Sequence, residues 1–293
     1  MGKQGKVYKK GVREKVFMMK NRDLQYWIEL WEQEKQDGVA CNLFWDKKAK
    51  SYSEDKAKKN EEINPTVKLL QDRDILKKDS SVLDIGCGPG THAIDMAREC
   101  KEVVAIDISG EMLQYLEKNT EKAGLNNISP YKLNWEDANL ADYGWEKKFD
   151  LVFANMTPGI YNYSTFKKML EASRDYCYFR GFLQRENQLW DALDREILGE
   201  GFSNKGIGDK MYYALNVLWN LGHHPEIVYG YSEWEEVRPL EEMIDLYKQK
   251  LQIYHEIKKE DRRKIENFFT SHEKDGVVVE KTRSKSAAFI WQV

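Results

Sequence analysis

The stretch VLDIGCGPGTHAIDMA, Val82 to Ala97, constrains this chain more than any other. Val82 to Ile85 reads as a short buried strand, and the residues from about Thr91 read as a helix. Between them, Gly86, Gly88 and Gly90 permit a tight turn that brings bare backbone close to whatever sits at the helix N-terminus. A strand, a glycine turn and a helix in that order belong to an α/β sheet that binds its ligand outside the carboxyl ends of its strands.

The flanking sequence extends this pattern. The strand-like segments SVLDI, EVVAIDI, ISPYKL, FDLVFANM and DYCYFRGF alternate with the helical GEMLQYLEKNTEKAG, closed by Gly124, and STFKKMLEASR. Right-handed crossovers make a doubly wound parallel sheet the simplest topology. Ahead of the turn, Leu24, Trp27, Ile28 and Trp31 mark an amphipathic helix, NLFWDKKAKSYSEDKAKK sets Phe44, Trp45 and Tyr52 among charges, and a helix capped by Asn64 runs from Pro65 to about Leu76. Residues 1–22 are basic and unpatterned and read as a loosely docked arm.

After Phe182 the pattern changes. LGEGFSNKGIGDK reads as a hinge or a loop over a site, and EIVYGYSEWEEV as a strand. Pro239 to about His272 reads as one helical region with Leu240, Met243, Ile244, Tyr247, Leu251 and Tyr254 on one face. GVVVEKTRSKSAAFIWQV reads as two β-rich runs about a turn, the second an antiparallel strand of the sheet. The expected organisation is an N-terminal arm and helical lid over residues 1–76 and a ligand-binding domain over 77–293, with a helical insertion at about 183–280.

Lys plus Arg number 46 against 49 Asp plus Glu, a net charge of −3, so no global field draws the chain to nucleic acid or anionic lipid. No apolar run approaches the roughly 18 residues of a membrane helix, and the polar start has no apolar signal core, so a soluble, cytoplasmic protein is expected. Cys41, Cys87, Cys100 and Cys177 show no CxxC spacing and read as free thiols.

Asp107 ends VVAID about twenty residues after the turn, where a carboxylate accepts both hydroxyls of a ribose. NAD and S-adenosylmethionine both call for that acid. The NAD fingerprint also requires glycine at position 91, where this chain has Thr91, and Pro89 removes a backbone donor that a pyrophosphate would use. Asp84, just before the glycines, is awkward beside a diphosphate and useful beside an ammonium. The residues favour S-adenosylmethionine.

On these residues the chain resembles the class I S-adenosylmethionine-dependent methyltransferases. VLDIGCGPG is similar to their motif I, VVAIDIS to motif II, and FDLVFANMTP to motif IV, whose strand end lies beside the transferring methyl group. NWEDANL is similar to the segment in which an acid and a small residue, here Asp137 and Ala138, face the adenine amine, with neighbouring Glu136 taking the acid's place if the loop shifts by one residue. FWDKKAKSY resembles a segment whose aromatics cover the cofactor, here Trp45 and Tyr52. The resemblance spans Ser80 to Phe182. It implies a Rossmann-like seven-stranded sheet of order 3-2-1-4-5-7-6 with AAFIWQV as the antiparallel strand 7, and methyl transfer that leaves S-adenosylhomocysteine. The implied cofactor contacts also include Asp84, Gly86, Cys87, Gly88, Gly90, Asp107, Asn155, and Ile108 with Met112 about the adenine.

On the acceptor side the candidates are Asn155, Thr157, Tyr161 and His223. The run NMTP departs from the [DNS]-P-P-[YFW] of members that methylate amino groups of bases or proteins, with Met156 and Thr157 where the prolines stand. That departure and the net charge disfavour nucleic acid, and the aromatic additions favour a small-molecule acceptor. His223 and His224 have no third partner at metal-ligand spacing. No single catalytic residue stands out, as expected where in-line positioning does most of the work. A non-catalytic cofactor sensor and a nucleic-acid methyltransferase remain the alternatives.

Overall fold

The structure, a computed structural model, describes residues 23–57, 64–199, 208–253 and 255–293. The proposed arm at 1–22, most of the glycine-dotted hinge and Tyr254 therefore lie outside the described residues. The chain order is α1 (Leu24–Glu32), α2 (Gly38–Ala57), α3 (Pro65–Asp72), β1 (Ser81–Ile85), α4 (Thr91–Ala97), β2 (Glu102–Asp107), α5 (Gly110–Ala123) and β3 (Ile128–Lys132), then a 3₁₀ turn (Trp135–Asp137). It continues with α6 (Leu140–Tyr143), β4 (Phe149–Asn155), α7 (Tyr163–Ala172), β5 (Ser173–Asn187), α8 (Gln188–Leu198), α9 (Asp209–Asn220), β6 (Glu226–Pro239), α10 (Leu240–Gln252), α11 (Lys259–His272) and β7 (Val277–Gln292).

The strands form one seven-stranded sheet of order β3-β2-β1-β4-β5-β7-β6. β1 pairs in parallel with β2 and β4, β2 with β3, and β4 with β5, whereas β7 runs antiparallel to both β5 and β6. This is the Rossmann-like order expected. β1 is buried at every position because helices cover both faces. β3 tolerates Pro130 because it is an edge strand and needs no donor on its open side.

Local chemistry fixes the helices around the turn. Ser109 caps α5 by accepting from the Met112 N–H, and Gly124 ends it in a left-handed conformation. Asn64 caps α3 with Pro65 in its first turn. One apolar cluster, with Trp31, Phe149 and Phe179, fills one face of the sheet, and a second, with Leu70, Met96 and Phe153, fills the other.

Two expectations beyond Phe182 are corrected. The helical region from Pro239 is two helices, α10 and α11, and the last β-rich segment is one 16-residue strand rather than two runs about a turn. The Ser-Lys-Ser step carries no glycine or proline, and Ser284 and Ser286 pair without a break with β6, while β5 opposite takes up a bulge between Phe182 and Gln184. β5, β7 and β6 thus continue past the carboxyl ends of the parallel strands as an antiparallel extension. α8, α10 and α11 pack on it through a third apolar cluster that includes Trp190, Tyr247 and Phe269, and Phe44 of α2 joins that cluster.

α2 therefore spans two regions. Its Asp46 accepts from Ser109 Oγ at 2.6 Å and from the Glu111 N–H at 3.3 Å, at the start of α5. Its Lys47 pairs with Asp245 of α10 at 3.1 Å. This places α2 across the carboxyl end of the sheet.

Candidate active site

A cavity of about 1360 Å³ opens at the carboxyl ends of β1, β2 and β4, beneath α2 and beside the β5–β7 extension. Of the residues expected at a site, Trp45, Tyr52, Gly86, Cys87, Gly88, Asp107, Ile108, Met112, Asn155, Thr157 and Tyr161 line it. Segments more than a hundred residues apart thus converge on one space.

The glycines of the turn serve different ends. A Cβ on Gly86 would sit 2.0 Å from Thr157 Oγ1, and one on Gly90 would sit 2.2 Å from Leu116 Cδ1. These two glycines let the turn pack against the protein itself. Gly88 is the one whose bare side faces the cavity, with only the Tyr52 ring within 4 Å of an added Cβ, at 3.8 Å. Gly90 itself does not line the cavity.

Asp107 accepts from the Gly88 N–H at 2.8 Å and the Ser109 N–H at 2.9 Å. Burial pushes its carboxyl above the usual range and those N–H donors hold it back. A carboxylate has about four acceptor positions, so its remaining lone pairs are available to a ligand. Asp84 is buried behind the turn and does not itself line the cavity, and its Oδ2 has no hydrogen-bond partner. Burial, with Asp107 nearby, pushes its carboxyl up to about 8. An orphaned acidic oxygen suits a ligand that carries a cation. A ligand with an ammonium and a ribose, as in S-adenosylmethionine, therefore fits the residues present.

Over the turn, Trp45 and Tyr52 of α2 meet edge to face, with ring centroids 6.0 Å apart. Burial, and Asp107 nearby, raise the Tyr52 phenol to about 12, so it stays neutral. Cys87 is buried, and its thiol is held well above its ordinary value by burial and then by Asp107 and Asp84, which leaves it a packing residue rather than a nucleophile.

Other expectations shift. Asp137 is turned to Asn134, whose amide donates to it at 2.9 Å, and Glu136 lines the cavity instead. A 3₁₀ turn has three residues per turn, so neighbours in it point about 120° apart. Ala138 is buried and does not line the cavity. Thr157 is a turn residue: its hydroxyl accepts from the Gly159 N–H at 3.0 Å, and the same oxygen with Cβ fills the space above Gly86. Met156, beside it, adopts a left-handed backbone with φ of 54°, a strained geometry for a side chain that is not glycine. His223 lies in the turn after α9, its N–H bonded to the Leu218 carbonyl at 2.9 Å, away from the cavity.

Two residues escape a reading by motif. Lys210, at the start of α9, donates to the Thr157 carbonyl at 3.3 Å, and burial lowers its ammonium to about 8. Arg180 stands inside the strand segment DYCYFRGF, where no motif marks it, and it lines the cavity beside Asn155.

The family model described as a methyltransferase domain matches residues 76–179, the segment that holds the turn, Asp107 and the β4 strand end. The chain belongs to the S-adenosylmethionine-dependent methyltransferases. This methyltransferase is 30% identical over 207 residues to an uncharacterised protein of Haemophilus influenzae, a match that covers 67% of this chain and 72% of that one. It is 36% identical over 76 residues to the 23S rRNA (uracil(1939)-C(5))-methyltransferase RlmD of Aeromonas hydrophila, covering 26% of this chain and 17% of that protein. Among solved structures, it is similar to magnesium protoporphyrin IX methyltransferase from Synechocystis PCC 6803 with bound SAH, at 15% identity and a TM-score of 0.47, over 67% of this chain and 93% of that one. No helix among the described residues is long and apolar enough to cross a membrane.

Proposed function

We propose that this methyltransferase acts on a small organic acceptor, held between the cofactor turn and the β5–β7 extension. The observation that carries the reading is the continuous cavity of about 1360 Å³. It exceeds the roughly 300–1,000 Å³ of a site for one small ligand, so it has room for cofactor and acceptor together. The net charge of −3 adds no attraction for a polyanion.

In this reading Asp107 accepts the ribose hydroxyls and Asp84 receives the ammonium of the methionine part. Ile108 and Met112 enclose the adenine, with Glu136 on its polar edge in place of Asp137. Trp45 and Tyr52 cover the pair, and α2 acts as a lid latched through Asp46. Bound there, the sulfonium supplies an already activated methyl group. The chain then has to hold the acceptor atom in line beside Asn155 and keep water out, which is catalysis by proximity and orientation.

Calorimetric titration with S-adenosylhomocysteine, followed by labelled methyl transfer to a small-metabolite extract and to total RNA in parallel, tests the reading. Label in the small-molecule fraction is the expected result. Label in RNA alone would overturn it.

A further inference from the structure

The extension has an unusual inner face. Along β7 the inward positions Glu280, Thr282, Ser284 and Ser286 are buried although all are polar, while Lys281, Arg283 and Lys285 between them point outward. A buried strand face made of hydroxyls and a carboxyl runs against the pattern of an ordinary core, so it is built for something polar. The pairing register puts Arg180 and Arg185 of β5 and Glu236 and Arg238 of β6 on this same face.

Arg180 is the member nearest the chemistry. It pairs with Asn155 across β4 and β5, and its carbonyl accepts the Met156 N–H at 2.9 Å. Its Nε and Nη2 donate to Ser286 Oγ at 3.2 and 2.9 Å. Gly230 makes the seat: a Cβ there would fall 2.2 Å from Arg180 Nη2 and 2.8 Å from Ser286 Oγ. No carboxylate among the described residues pairs with this guanidinium, although it lines the cavity.

The charge around it has one sign in excess. On the inner face and the α2 residue above it stand Lys48, Arg180, Arg185 and Arg238 against Glu236 and Glu280. Glu236 is committed to Arg238. Glu233 and Glu235 also border the cavity but lie on the outer face, paired with Arg283 at 3.2 Å and Lys281 at 3.1 Å. Burial, with Arg238 and Arg185 near, lowers the Lys48 ammonium below its ordinary value even with Glu236 opposing.

We propose that Arg180, seated on Ser286 by Gly230, binds a carboxylate of the acceptor and so makes this enzyme specific for small organic acids. A guanidinium already oriented on one edge offers its other donors to a planar carboxylate at little further entropic cost. The Ser284 hydroxyl, which lines the cavity, and the surplus cations stabilise the same charge. The inference rests on the small-acceptor reading above.

The test uses the protein loaded with S-adenosylhomocysteine and probes in matched pairs: benzoate with benzamide, phenylacetate with phenylacetamide, and succinate with succinamide. Binding is followed by calorimetry for the wild type, Arg180→Met and Arg180→Lys. At least one acid should bind tenfold to a hundredfold tighter than its amide, the range for a charge-assisted contact. Arg180→Met should erase that preference, Arg180→Lys should restore part of it, and S-adenosylhomocysteine affinity should change less than twofold in both. Equal binding of acids and amides, no binding of any acid, or a preference that survives in Arg180→Met overturns the proposal. So does a loss of S-adenosylhomocysteine affinity in Arg180→Met, because the guanidinium would then serve the cofactor's own carboxylate. Methyl label found only in RNA sinks the underlying reading by a separate assay.

Discussion

The two halves of the cavity are built on opposite principles. The cofactor half is made of backbone and a few acids at the ends of short parallel strands, within residues close in sequence: Gly88, Asp107, and Asp84 behind them. The half we propose for the acceptor is made of side chains on long antiparallel strands, brought together from β5, β6, β7 and α2. Behind its lining, polar groups are engaged with one another and with it, as in Arg180 with Ser286, or Asn187 with Glu280 and Thr282 at 2.9 Å each. The first half carries an unsatisfied acid and suits a cation. The second carries surplus guanidinium and suits an anion. On the proposed reading, walls of opposite sign hold a cationic donor and an anionic acceptor side by side in one cavity.

The largest effect that would break this contrast is expected at Gly86. Gly86→Val places a Cβ 2.0 Å from Thr157 Oγ1 on a backbone with φ of +71°. It should cost about 3 kcal/mol or more in denaturant unfolding. Thr157→Gly in the same chain should return part of that loss; no recovery would mean that the Gly86–Thr157 packing is not what demands glycine.

Next in size, Asp107→Ala should weaken S-adenosylhomocysteine about 100-fold or more by calorimetry, through loss of charge-assisted hydrogen bonds. An unchanged affinity would remove Asp107 from the cofactor half.

Asp84 allows a test with a sign. Its folded value of about 8 lies above the ordinary 3.8, so between those limits the native state holds a proton that the unfolded chain has released. Stability should therefore fall as pH rises from about 4 to 8. Asp84→Asn should abolish that slope, stabilise the free protein at pH 8 by about 1–3 kcal/mol, and weaken the cofactor about tenfold. Urea melts at pH 5 and pH 8 decide it; a destabilised variant at pH 8 would show that the carboxylate is satisfied.

In the acceptor half, Gly230→Ala meets the end of a flexible side chain rather than packed backbone. It should change stability by less than about 1 kcal/mol while lowering acid affinity about tenfold, with S-adenosylhomocysteine binding unaffected. A fall in cofactor affinity would blur the division between the halves. Smallest of all, His223→Ala should leave turnover within about twofold and stability within about 0.5 kcal/mol, because it stands outside the cavity. A larger loss of turnover would return that histidine to the site.

The sequence by itself determined the alternating parallel core and its glycine turn, and the family resemblance supplied the strand order. Glycines at 86, 88 and 90, an acid at the end of each of two neighbouring strands, and period-two and period-3.6 patterns are local signals, each readable within a few residues. Only the tertiary structure decided that Glu136 and not Asp137 reaches the cavity, since one step around a 3₁₀ turn swings a side chain by about 120°. It also joined two expected β runs into one strand and, through the register of β5, β7 and β6, set Arg180, Ser286 and Gly230 into one seat from residues up to 106 positions apart. The aromatics of α2 were legible as a cover for the cofactor, but its place between α5 and α10 was not, because a helix that packs against both shows no single apolar stripe. Backbone turns and strand ends are written in adjacent residues, whereas an acceptor wall assembled across strands is written in pairings that sequence order does not display.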